Sequence, residues 1–513
     1  MQNGLSTNEL KEITSFSGRF ALNSGLSFYR IEGAAYKRLC KKTKTVKVED
    51  LTFGRRAVKG AAMKISDDQV RTLKPFLRQA GESGEICFSV DHGKRMNDYL
   101  SIVAHYCLEE ENGWRMVARP IAFLRVKPEE KDAETIMKQV QEVCLDMGIT
   151  RFGLSQCGVV SDEGSSIVKA LKGNFKHDSR CICHQCCTVV LHIFQPYKKN
   201  SLTEAELEQL KISNNLLDAC KKLTSLARNH KSEFQLIKKP RQFVNTRFLS
   251  SLWVLEDVFN AYDEILQMNQ TRTDLKAETE EAINLVLASK KKLEFLINLL
   301  KPVASAVTQF EAETYPTIQF VALFWNEQIQ VAKSLKVMFD AFQKAIGSAY
   351  LEALTRKKKN LTEYHYVATL LYPPSKRMLK FSQDEKERAI TSLETICIDY
   401  EPPPNENNNT GNVSAFSSMF DDQVLIQDNF GNELKRYQES PEIFDTKEDL
   451  LNWWFIRQKQ YPRISKAAKK VLSMPPSSTA PERSFSHSKM LITDQRSLLD
   501  AETVSGLMLG GDF

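Results

Sequence analysis

The chain has 513 residues, 42% of them hydrophobic and 26% charged, with a formal net charge of +6. That length allows several domains and a large core, and the composition is that of a globular protein, not a disordered or collagenous one. No apolar run approaches the length needed to span a bilayer, and the N-terminus carries no signal-peptide core, which argues against a membrane partner. The charge excess is mild, so local clusters matter more. Basic runs at Lys37–Lys47, Lys238–Arg241 and Arg356–Lys359 are the kind of surface that meets a phosphate backbone, although each alone is more often a solvated face. The eleven cysteines are an odd count, and Cys181, Cys183, Cys186 and Cys187 crowd into seven residues. That is too close for a disulfide framework, so reduced thiols in an intracellular protein are expected.

Taken in order, residues 1–80 read as helical and basic, with Ser6-x-x-Glu9 as a capping box. From Gly84 the periodicity changes to strands: Glu85–Val90 ending at Asp91, then Leu100–Cys107 and Trp114–Leu124 joined through a Glu111-Asn112-Gly113 hairpin signal. Ala133–Met147 is an amphipathic helix closed by Gly148, and Phe152–Val160 a weaker strand ending at Asp162. Pattern alone gives an α/β sheet. Ser201 to Leu393 is almost continuously helical, with Leu252, Leu255, Phe259, Tyr262 and Leu266 at three- and four-residue steps. Tyr400–Phe416, rich in Pro, Asn and Gly, reads as a flexible linker. Beyond it, Leu450–Arg457 with Trp453-Trp454, and Ala467–Leu472, lead to Pro475–Ser486.

Pro475–Ser486 is Pro-Pro-Ser-Ser-Thr-Ala-Pro-Glu-Arg-Ser-Phe-Ser. A stiff, hydroxyl-rich turn delivers Glu482 and Arg483 where a helix should begin, with Pro481 suited to the first helical position. The stretch resembles the C-terminal signature of hAT-superfamily (hobo–Activator type) transposases. Leu26–Leu39 and Leu300–Ile318 resemble further segments of that family. The resemblance implies α/β plus all-α architecture: an RNase H-like catalytic fold interrupted by a large all-helical insertion, with a helical N-terminal region. The expected division is 1–80 for an N-terminal DNA-binding or intertwined dimer region and 81–198 for the first part of the catalytic fold. The insertion then spans 199–399, a linker 400–440, and a dimerisation region completing the catalytic fold 441–513. Two departures stand out. No Cys-x-x-Cys…His-x-x-x-His spacing occurs, so the BED zinc finger carried by many members is not found. Phe248 stands where the family usually has Trp.

By the same resemblance, Asp91, Asp162 and Glu482 form an Asp-Asp-Glu site. Three carboxylates suit Mg²⁺ (or Mn²⁺), a hard cation that prefers oxygen ligands, and phosphodiester cutting and joining needs such cations. Cys181, His184, Arg247, Phe248 and Arg483 are the expected DNA-binding residues, Phe248 as a base-stacking ring. A compact zinc site from Cys181, Cys183, Cys186 and His184 competes with inert core cysteines, since four ligands packed so tightly on a helix cannot easily surround a tetrahedral ion. Trp453, Trp454 and Phe485 are expected to serve packing or a dimer core. The implied function is a DNA transposase acting on double-stranded transposon ends in the nucleus, as a homodimer or higher oligomer through its C-terminal region. The alternative is a domesticated, non-catalytic DNA- or chromatin-binding regulator.

Overall fold

The computed structural model describes residues 7–24, 54–94, 97–230, 234–244, 249–272, 274–398, 429–446, 448–491 and 500–510. The Leu26–Leu39 segment, Arg247, Phe248 and most of the 400–440 linker lie outside them.

Helices α1 (Thr7–Ser24) and α2 (Arg55–Glu82) lead into β1 (Cys87–Lys94), β2 (Asp98–Glu110) and β3 (Gly113–Val126). β1 and β2 are antiparallel, as are β2 and β3, and the tight hairpin pairs Glu110 with Gly113. Next come α3 (Ala133–Asp146), α4 (Arg151–Gln156), β4 (Gly158–Ser161), α5 (Ser165–Leu171) and β5 (His177–Arg180). β4 runs parallel to β1 and β5 parallel to β4, giving the order β3-β2-β1-β4-β5. The result is a small mixed sheet in a mostly helical chain.

Two expectations need correction. β1 does not stop before Asp91; it runs on to Lys94, because Asp91 and Gly93 pair with Ser101 and Tyr99 of β2. The expected strand over Phe152–Val160 is mostly helix α4. The Thr150 side chain accepts the Gly153 N–H at 3.0 Å, and such an N-cap starts a helix where the apolar run alone suggested a strand. Only Gly158–Ser161 remains extended.

α6 (Ile182–Phe194), α7 (Glu204–Asn229), α8 (Leu249–Asn260), α9 (Tyr262–Thr271), α10 (Ala277–Ala288), α11 (Lys290–Phe310), α12 (Val321–Lys336) and α13 (Ala341–Lys358) follow. They enclose a core of their own, in which Cys183, Cys186, Leu255, Leu300, Trp325 and Tyr350 are buried. α14 (Glu363–Leu370) and α15 (Gln383–Ile398) return the chain to the sheet.

The C-terminal part holds α16 (Phe430–Glu439), α17 (Leu450–Ile456), α18 (Pro462–Leu472), α19 (Thr479–Leu491) and α20 (Ala501–Gly510). α16 occupies the end of the stretch read as linker. Asn429 caps it through the Asn432 N–H, and Leu434 and Tyr437, three residues apart, are buried, a pairing that places both on one helix face. One sheet face, with Cys87, Trp114 and Val160, packs on α14–α18. The other, with Phe88, Val90 and Ile102, packs on α2 and α3. β1 to β4 therefore contribute side chains to both cores.

Candidate active site

Asp91 sits within β1, only 8% exposed, and alternation puts Ser89, Asp91 and Gly93 on the same face. Its Oδ1 accepts the His92 backbone N–H at 2.8 Å. Asp162 directly follows β4, whose Ser161 is in register with Val90, so the two aspartates occupy adjacent positions on neighbouring parallel strands. The Asp162 Oδ1 accepts the Gly164 N–H at 3.0 Å, a local turn that fixes the carboxylate. Glu482 lies in the first turn of α19 with its side chain 48% exposed. That helix begins two residues earlier than the sequence suggested, at Thr479, which leaves Pro481 in a turn whose N–H groups have no helical partner.

The three acids influence one another. Burial first, then the negative charges of Asp162 and Glu482, push the Asp91 carboxyl up to about 8. A buried carboxylate facing two others disfavours its own ionised form. Against them stands His184, whose Nε2 is 3.8 Å from Glu482 Oε1. The imidazole is raised above its ordinary value chiefly by its hydrogen bond to Cys181, with the Cys181, Glu482 and Asp91 charges adding while burial opposes.

Cys181 itself is fully buried. Burial alone pushes its thiol up, yet hydrogen bonds from Cys183, His184 and Ser478, with the positive charge on His184, hold it well below the usual thiol range. Its backbone ties the site together. The Cys181 N–H donates to Ser161 O at 2.7 Å and the Ile182 N–H to Pro476 O at 3.0 Å. Its Sγ accepts the Ser478 N–H at 3.3 Å. Cys181 thus joins the end of β4, which precedes Asp162, to the turn that precedes Glu482.

A family profile described as the hAT family C-terminal dimerisation region matches residues 433–509. A second profile, described as a domain of unknown function (DUF8247), matches residues 72–162. The zinc finger BED domain-containing protein DAYSLEEPER of Arabidopsis thaliana is 23% identical over 239 residues, covering 44% of this chain and 34% of that relative. The match thus spans about a third of the relative's length. The chain is thus similar to hAT-family, transposase-like proteins and carries that family's C-terminal region.

Within the hAT signature, Arg483 does not stand free for DNA. Its guanidinium pairs with Glu313 and donates to Glu311 O at 2.6 Å, although the side chain remains 49% exposed. Of the Cys181/His184 pair, both expected at the DNA, only His184 reaches the surface, because Cys181 is enclosed. Arg247 and Phe248 lie outside the described residues. Cys183 and Cys186 are core side chains; the Cys183 thiol is raised by its hydrogen bond with Cys181 and then by burial, the Cys186 thiol by burial first. Among the described residues, no group of three or more His, Cys, Asp or Glu is gathered closely enough to hold an ion.

Sequence reading missed two residues that shape this candidate site. Gly93, two positions beyond Asp91, lets Phe485 pack on the strand. Glu163, next to Asp162, is tied to the helical insertion by Lys357. Only adjacency to the acids hinted at either.

Proposed function

We propose that the protein is a hAT-like DNA transposase that cuts and joins double-stranded DNA at transposon ends. One observation carries the reading. Asp91, Asp162 and Glu482, far apart in sequence, are brought together by two neighbouring parallel strands and the first turn of α19, near enough that, after burial, the charges of Asp162 and Glu482 help push the Asp91 carboxyl up. The sheet order supports an RNase H-like catalytic fold: three antiparallel strands followed by two parallel ones, with the first acid on the central strand and the second just after its parallel neighbour.

The donor set fits Mg²⁺ or Mn²⁺ chemically, since all three groups offer hard carboxylate oxygens and their mutual repulsion would be relieved by a cation. Bound there, such ions would polarise a phosphate and lower the pKa of an attacking water or hydroxyl. Asp91 and Asp162, fixed by backbone N–H bonds, would hold the cations; Glu482 would complete the set from the half-exposed side. His184 keeps a positive charge beside Glu482 and balances the cluster. A nuclear location follows from the DNA substrate.

A second reading, a domesticated DNA- or chromatin-binding regulator, draws on the spacing of the acids, which do not converge into an ion-holding cluster. A nicking assay on purified protein separates the two, using Mg²⁺ or Mn²⁺, DNA bearing the element's ends, and Glu482→Ala alongside. Metal-dependent cleavage lost in Glu482→Ala supports the transposase; salt-sensitive DNA binding without nicking supports the regulator.

A further inference from the structure

We infer that Lys357, on the helical insertion, is a positioning residue for Asp162, acting through Glu163; the role rests on the phosphodiester-cleaving reading above. Lys357 lies in the last turn of α13 and reaches both carboxylate oxygens of Glu163, at 2.5 and 2.6 Å. The pair is mostly shielded, the side chains 15% and 28% exposed. Asn360 Nδ2 at 3.3 Å and Thr188 Oγ1 at 3.4 Å also donate to Glu163. These partners come from α13, the turn after it and α6, so one side chain gathers three segments onto the end of β4.

The position of Glu163 gives the clamp its consequence. Asp162, Glu163 and Gly164 form a single turn, with Asp162 closing it through the Gly164 N–H. Alternate side chains hold the turn: Asp162 points to the site while Glu163 is drawn toward the insertion. Rotation of the turn that moves the Asp162 carboxylate must also pull Glu163 off Lys357. Desolvated ion pairs resist such movement because the partner left behind is buried and uncompensated. The third acid has a matching tie, since Arg483, adjacent to Glu482, pairs with Glu313 just beyond α11. The insertion therefore grips the chain neighbours of two of the three acids while contributing no acid itself.

The test compares Lys357→Met, Lys357→Arg and Glu163→Gln in the full chain. Backbone hydrogen exchange over residues 158–167 should quicken by about tenfold in Lys357→Met and Glu163→Gln. Lys357→Arg should restore protection. In the metal-dependent nicking assay the same two variants should lose about 10- to 100-fold in kcat with KM for DNA unchanged, as expected of a misplaced catalytic group, and Lys357→Arg should recover most of it. A mere domain staple would instead lower Tm and leave exchange at 158–167 in step with the rest of the chain. Wild-type exchange at the turn, or wild-type kcat in Lys357→Met, overturns the assignment. If the wild-type protein does not cut, the transposase reading fails, and the exchange data still decide whether the clamp exists. Should Lys357→Met not fold, Glu163→Gln, which keeps the shape and removes the charge, carries the same readings.

Discussion

The ring of Phe485 packs directly onto Gly93. A Cβ built at Gly93 would lie 2.6 Å from three of its ring carbons, closer than carbon atoms can approach. Gly93 is two residues from Asp91 on the same face of β1, and Phe485 is three residues from Glu482 on α19, a spacing that puts both on one helix side. This contact therefore sets the distance between the strand bearing Asp91 and the helix bearing Glu482. Phe485 is also 5.5 Å from the ring of Phe123, which stacks on Tyr99 at 4.7 Å.

Gly93→Ala should accordingly destabilise the fold by about 1–3 kcal/mol, the usual cost of overpacking, and displace α19. Thermal unfolding measures the first effect. A wild-type Tm for Gly93→Ala would show that the ring moves aside freely.

Asp91 makes stability depend on pH. Its folded-state value of about 8 exceeds the ordinary 3.8, so between those limits the native state binds a proton that the unfolded chain releases. The contribution is full below about pH 4 and is drawn down as pH rises toward 8. Asp91→Asn should thus be more stable than wild type at pH 8, by on the order of a few kcal/mol at most, and alike at pH 4. At the proposed carboxylate site Mn²⁺ would compete with that proton, so it should raise the wild-type Tm more at pH 9 than at pH 6 and lose this effect in Asp91→Asn. Identical pH profiles for the two proteins would count against a shared carboxylate site.

Trp454 is buried in the region matched as a dimerisation region, yet its partners belong to the same chain. Its Nε1–H donates to Leu371 O at 3.0 Å, and its ring lies 5.0 Å from Tyr437 and 4.9 Å from Trp453. Trp454→Ala should cost about 3–5 kcal/mol as a large-to-small core change, with the same loss at every protein concentration. A loss that grows on dilution would place this residue at a subunit contact.

Glu433, fully buried, accepts the N–H groups of Arg463 at 2.9 Å and Ile464 at 2.7 Å, at the start of α18. A carboxylate there satisfies two otherwise orphaned donors and meets the positive end of the helix. Glu433→Ala should lower stability by about 2–4 kcal/mol, the range for leaving buried polar groups unpaired. Chemical denaturation reads this directly, and a change under 0.5 kcal/mol would refute the cap.

The hairpin, the helical stretch from Ser201 to Leu393 and the signature helix were legible in the sequence, because hairpin chemistry, three- and four-residue spacing and a Pro-Ser-Ser turn are local effects. Phe485, Trp453 and Trp454 also read correctly as packing residues. Local pattern misled where a cap outweighed an apolar run, at Arg151–Gln156, and where pairing with β2 carried β1 beyond Asp91. The carboxylate set was legible only through a resemblance carried by separate motifs. That Asp91 is buried, that Cys181 holds the Asp162 and Glu482 segments together, that Arg483 is already paired, and that Lys357 grips Glu163 were decided by tertiary structure alone. Each depends on contacts between residues remote in the chain, and neither periodicity nor composition encodes a distance across the fold.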